Sequence, residues 1–235
     1  MNCPKCGYAQ EDGAVECQKC GIIFAKFERL QRRRAQAAKE AEARLLWHMK
    51  DANNPVANIG RAVLLLFLLW MSWSLVFSPI DFWQGNAAAR SFLHHINLPF
   101  HEFGHLMFRP FGRLIASLGG SLGQLLMPLL CVGVFLLQTR DAFAAAVALW
   151  WLGESFLDLV AYINDANVLT MPLLGGNEGA NSPYGFHDWE FILTETGAID
   201  DAGGIAKTTH IFGSVVIGLA LLWMLLLLLR NRPSR

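Results

Sequence analysis

His101-Glu102-Phe103-Gly104-His105 is the segment whose residue types and spacing could do the most chemistry. On a helix, residues four apart share a face, so both imidazoles can ligate one zinc ion. Glu102, next to the first ligand, is then placed to take the proton of an attacking water as general base. A zinc hydrolase also needs a third protein ligand and one open coordination position. Glu154, Asp158 and Asp165 follow at steps of four and seven, which puts them within about 40° of one another on one helical stripe. Glu154 and Asp165 would stand about 16 Å apart along that axis, so they cannot both serve one ion. Pairing with His or Arg of a neighbouring helix is the alternative account of three carboxylates on an apolar segment.

Further along, Gly185-Phe186-His187-Asp188-Trp189 holds another His–acid pair. His187 is a candidate metal ligand or a hydrogen-bond donor to the oxyanion of an acyl-transfer reaction, with Asp188 holding its ring. The pair could instead simply cap the helix that Trp189 begins. His94 and His95 point about 100° apart on a helix, so at most one could join the same site, and both read as interface residues. Gly119, Gly120 and Gly123 are expected to let helices approach closely, Gln124 to hydrogen-bond between helices, and Cys131 to act as a small buried hydrophobe.

A second chemistry sits at the N-terminus. Cys3-Pro-Lys-Cys6-Gly7 and Cys17-Gln-Lys-Cys20-Gly21 are two CxxC knuckles whose four thiolates suit tetrahedral zinc. A segment this short cannot bury enough apolar surface to fold without a metal, so this zinc is expected to be structural. The ribbon could also offer a surface to a protein partner; nucleic acid is not expected among the partners.

The elements that must position these groups are apolar. Of 235 residues, 54% are hydrophobic and 16% charged, which excludes an ordinary soluble domain. Phe24 to Lys50 lacks Gly and Pro and carries eight Lys/Arg against three Glu, which predicts a basic helix, solvated or lying on anionic headgroups, broken at Asn53-Asn54-Pro55. Ala62–Ile80, Leu114–Gln138, Ala142–Ile163 and Ile211–Leu229 are each about the length of a span. Ser91–Phe108, with four His and interrupted at Pro99, predicts a short motif helix from Pro99 to Arg109 that dips into the membrane and returns. Four crossings keep the basic N-terminal helix and the Arg230, Arg232, Arg235 tail on one side, as the positive-inside tendency requires; a fifth would separate them. No apolar core precedes Ala62, and the thiols suit a reducing compartment, so the ribbon is expected in the cytosol.

The His-Glu-x-x-His signature resembles that of the zincin metalloproteases, and its hydrophobic setting resembles the site-2 protease group of intramembrane metalloproteases. That resemblance covers about one fifth of the chain. It implies a third ligand from an Asp on a later membrane helix, which maps onto Asp165, although the Asn-Pro and Asp-Gly surroundings typical of the group are missing. Glu154-Ser-Phe-Leu-Asp158 resembles the Glu-xxx-Asp element of the gluzincins, which would make Glu154 the ligand.

The sequence thus predicts an all-α polytopic membrane protein of four to five membrane helices with a re-entrant motif helix. It divides into a zinc-ribbon (1–24), a basic helical linker (25–60) and a membrane-embedded domain (61–235). The expected function is that of a zinc-dependent metalloendopeptidase in the bilayer acting on membrane-associated protein substrates. One zinc is structural and one catalytic, the latter on His101, His105 and Asp165 or Glu154, with Glu102 and His187 catalytic. The alternative is a non-catalytic membrane adaptor or metal sensor. A divalent-metal transporter fits less well, since transport favours polar residues spread over several helices.

Overall fold

The computed structural model describes residues 1–79, 86–174 and 176–230. All regular elements among them are helical, and the chain divides into two units, Met1–Trp47 and His48–Arg235.

In the first unit each CxxC knuckle turns through a glycine of positive φ, Gly7 (72°) and Gly21 (67°), a conformation that favours residues without a Cβ. Gly7 N–H and Gly21 N–H donate to the carbonyls of Cys3 and Cys17, and isolated antiparallel bridges join Asn2 to Ala9 and Glu16 to Ile23. The knuckles bring Cys3 Sγ within 3.8 Å of Cys20 Sγ, and Cys6 Sγ within 3.7 Å of Cys17 Sγ. All four are free thiols. Tetrahedral zinc with bonds of about 2.3 Å has an S–S edge of about 3.8 Å, so the cluster is shaped to hold an ion. Helix α1 (Phe24–Trp47) follows at once and belongs to this unit.

The second unit begins with α2 (Pro55–Phe77). Asn53-Asn54-Pro55 acts as its start signal: Asn54 Oδ1 accepts from the amides of Val56 and Ala57, and Pro55 occupies the first turn, where its missing N–H costs nothing. Next come α3 (Phe92–Phe108), α4 (Arg113–Leu137), α5 (Ala142–Asn164), α6 (Asp188–Glu195) and α7 (Ala202–Arg230). Among the described residues, four helical stretches are long and apolar enough to cross a membrane: Pro55–Phe77, Arg113–Leu137, Ala142–Asn167 and Ile199–Arg230. Arg113–Leu137 matches its apolar window to within a residue, whereas Pro55–Phe77 and Ile199–Arg230 begin seven and twelve residues before theirs and Ala142–Asn167 ends four residues beyond, because polar turns continue those three helices. Ile80 and the Arg232 to Arg235 tail lie outside the described residues.

Contacts set the helix directions. Arg61 and Asp141 approach to 4.0 Å and the Ala142 amide donates to the His48 carbonyl, so α2 and α5 start at one end of the bundle. Gly153 and Gly213 meet so closely that a Cβ on either would stand within 3 Å of the other's carbonyl, which seats α5 on α7, and His210 Nε2 reaches the Val76 carbonyl at 2.9 Å. The turn joining α4 to α5 is short, and α4 and α7 therefore run opposite to α2 and α5. Arg230 ends near the level at which α2 begins.

Helix α3 differs from the expected short helix, for Pro99 lies inside a continuous helix of 17 residues. Asn97 Nδ2 donates to Glu154 and Asp158, and Trp151 Nε1 donates to Asn97 Oδ1 at 2.8 Å. These anchors hold the turn across the one backbone hydrogen bond that proline deletes, a case of tertiary contact overriding propensity.

Candidate metal centre

The motif helix meets α4 backbone to backbone. A Cβ on Gly104 would run into the Gly119 carbonyl, and one on Gly123 would stand 2.5 Å from the Phe100 carbonyl oxygen. The glycine inside the motif and the glycines of α4 therefore have one shared purpose, close approach. Gly120 differs from them: a Cβ there would stand 2.5 Å from Nε2 of both His101 and His105. It is the floor on which the two imidazoles rest.

Both rings are held by Nδ1. His105 Nδ1 lies 2.8 Å from the Ala116 carbonyl, which can only accept, so that nitrogen carries a proton. His101 Nδ1 lies 3.3 Å from Gln124 Oε1. The Gln124 amide is oriented by its own donation to Asp158 Oδ2 at 2.9 Å, so its oxygen faces His101 and that Nδ1 is also a donor. Each neutral ring is thereby left with its Nε2 lone pair turned the other way. Partners of this kind select the metal-binding tautomer.

Both Nε2 atoms face Asp188 Oδ2, at 3.3 Å from His101 and 3.2 Å from His105. A tetrahedral site with bonds of about 2.0–2.1 Å has ligand–ligand edges of roughly 3.3 Å, so the three groups have the spacing of a zinc triad. Asp188 opens α6, its amide donating to the Tyr162 hydroxyl at 3.0 Å, while that hydroxyl lies 3.3 Å from Asp188 Oδ2. The hydrogen bond from His105 to Asp188 raises that imidazole to about 9, against the opposing effect of burial. Burial pushes the Asp188 carboxyl upward, but the hydrogen bonds from His101 and His105 outweigh it and bring it to about 2.

Neither carboxylate expected as third ligand reaches the imidazoles. Asp165 is buried beside the turn after α5, where it accepts from the amides of Thr170 (2.9 Å) and Met171 (3.0 Å) and lies 3.5 Å from His187 Nε2. Glu154, fully buried, accepts from Asn97 Nδ2 at 3.1 Å. Asp158 lies 2.9 Å from His94 Nδ1, so the stripe of carboxylates pairs with groups of the neighbouring helix. His187 turns away from the imidazole pair: its Nδ1 caps α6 by accepting from the Glu190 amide, and Asp188 holds His101 and His105 in place of His187. Gln124, Gly120, Ala116 and Tyr162 complete the arrangement. Of these, only the glycine and Gln124 were distinguishable in the sequence, as helix-packing residues.

Glu102 is exposed on a cavity of about 830 Å³ that also receives His94, His101, His105, Tyr162 and Asp188. Arg113 braces the loop that closes one side. Its guanidinium donates to the Tyr184 carbonyl at 3.0 Å and stands 4.4 Å over the Phe191 ring. In comparison with known proteins, no family model, no curated protein and no solved structure matches the chain.

Proposed function

We propose that this protein is a zinc-dependent peptidase acting in the membrane on peptide bonds of membrane-associated proteins. One observation carries the reading: two imidazoles locked through Nδ1, with a carboxylate oxygen 3.2–3.3 Å from both Nε2 atoms, border the cavity that also holds Glu102. His101, His105 and Asp188 would hold the ion, and Asp188 replaces Asp165 and Glu154 in that role. Zinc bound there supplies a Lewis acid that polarises a carbonyl and acidifies water. Glu102 takes the proton of the attacking water and returns it to the leaving amine. Tyr162 and Gln124 keep Asp188 and His101 aimed.

The bilayer is supported as surroundings by the four apolar helices. Helix α3, 17 residues long, stands at the lower limit of spanning length, begins near Asp158 of α5 and ends beside the start of α4, which supports a re-entrant path. The ribbon carries a structural zinc, lies in the cytosol and offers a surface to a protein partner.

Metal analysis of the purified chain with Glu102→Gln and His101→Ala variants tests the reading. Two zinc ions per chain are expected, one of them lost in His101→Ala. Glu102→Gln should retain both while cleavage of a membrane-anchored substrate falls at least about a hundredfold. A single ion that disappears with the cysteines would refute the second site, and a Glu102→Gln protein that cleaves normally would refute the mechanism.

A further inference from the structure

The cavity has a second end of different chemistry. His94 precedes His101 by seven residues on α3, two turns away on nearly the same face, so the two rings are about 10 Å apart along the axis. Asp158 Oδ1 holds His94 Nδ1 at 2.9 Å, and Asp158 is itself held by Gln124 Nε2 at 2.9 Å and Asn97 Nδ2 at 3.2 Å. The ring is thus pinned from behind, 38% exposed, and lines the cavity, as does Arg90 four residues earlier. Leu98, Leu159, Met171, Leu173 and Phe186 add apolar side chains to the lining, beside the polar Gln124 and Asp158.

A pinned imidazole with a carboxylate behind it is a directed donor once protonated. The hydrogen bond to Asp158 favours that form, raising His94 above its ordinary value against the opposing effect of burial. Arg90 brings a second cationic side chain to the lining of the same cavity. A cavity that combines apolar side chains with His94 and Arg90 suits an apolar chain that ends in a carboxylate. An extended peptide advances about 3.3 Å per residue, so roughly three residues separate the two ends.

We propose that Arg90 and His94 form a carboxylate subsite, which makes the substrate class peptides cleaved about three residues from a C-terminal carboxylate. This inference rests on the peptidase reading. In the reaction the water oxygen bonds to the scissile carbonyl carbon, the C–N bond breaks, and a water proton passes through Glu102 to the amine. The amine product is the short peptide that carries the terminal carboxylate.

The test uses the full-length, zinc-loaded Glu102→Gln protein, so that peptide is not consumed. Fluorescence anisotropy measures binding of labelled apolar hexapeptides ending in a free carboxylate, in a carboxamide, or in a carboxamide after a final Glu. The free acid should bind at least about tenfold tighter than the plain amide, as loss of a charge-assisted hydrogen bond requires. Adding His94→Gln or Arg90→Gln should abolish that preference at unchanged zinc content; two variants keep the test valid should one misfold. With active protein the amide should raise KM and leave kcat within about twofold. Equal binding of acid and amide at full zinc occupancy overturns the subsite and leaves the peptidase reading standing. A Glu-ended amide that binds like the free acid assigns the subsite to an acidic side chain and overturns the C-terminal assignment. Zinc unaffected by His101→Ala removes the peptidase reading, and the subsite with it.

Discussion

Replacing Gly120 by alanine adds a single carbon at the floor of the imidazole pair, and its consequence can be worked from distances alone. The carbon would stand 2.5 Å from His101 Nε2 and from both Cε1 and Nε2 of His105. Favourable contact begins near about 3.5 Å, so each ring has to withdraw by roughly 1 Å. Separating α3 from α4 would open the backbone contact at Gly104, Gly119 and Gly123, so the rings must move. That withdrawal weakens the Nδ1 bonds to Gln124 and Ala116, and a buried acceptor left without its donor costs about 1–3 kcal/mol. Losing the groups that orient ligand histidines lowers metal affinity by about 10–100-fold. Chelator competition on the purified protein measures it directly. Gly133→Ala on the same helix is the control, because a Cβ there meets nothing within 4 Å. It should bind zinc like the parent. Gly120→Ala protein with a zinc affinity within about twofold of the parent would refute the geometry.

Three further outcomes follow from the same contacts. Asp188→Ala should lose the membrane-unit zinc, whereas Asp165→Ala should keep it and instead loosen the 168–187 loop, read by proteolysis; the reverse pattern would return Asp165 to the ligand set. His105, raised to about 9 by Asp188, is protonated at neutral pH, so zinc must displace about one proton. Affinity should rise roughly tenfold per pH unit between about 7 and 9 and then level off, and calorimetry in two buffers counts the proton. The sign also holds without metal: a raised folded-state value stabilises the metal-free fold below about 6.5, and that contribution fades as pH climbs through about 9. Cys3→Ser with Cys6→Ser should unfold the ribbon, seen as lost amide protection before Phe24, and leave zinc on His101 intact.

Periodicity and residue type carried the fold a long way. Apolar windows locate all four long helices, because about twenty residues without charge have few other uses. Cysteine spacing locates the thiolate cluster, since two tight CxxC turns already place two ligands each. The histidines at 101 and 105 are legible for the same reason, for a helix fixes which residues share a face. What periodicity cannot encode is where a loop returns. Asp188 lies beyond an irregular stretch, and its partner could be read neither from helical steps nor from its neighbour His187, which points the other way. The Asp165 and Glu154 assignments failed to meet the imidazoles because sharing a stripe says nothing about which part of α3 each residue faces.

The same limit explains how the site holds its shape. A helix pair can supply two imidazoles, but the third group comes from a loop that must be brought back and held. Asp165 grips the loop's first amides at Thr170 and Met171, and Arg113 grips its far side at Tyr184 and Phe191. Tyr162 then fixes Asp188 by both amide and carboxylate. The buried carboxylate of Asp165 is thus tied to the candidate metal centre indirectly, as the anchor of the segment that delivers Asp188. A charge is expensive in an apolar surround, and positioning a distant ligand is reason enough for this one to be there.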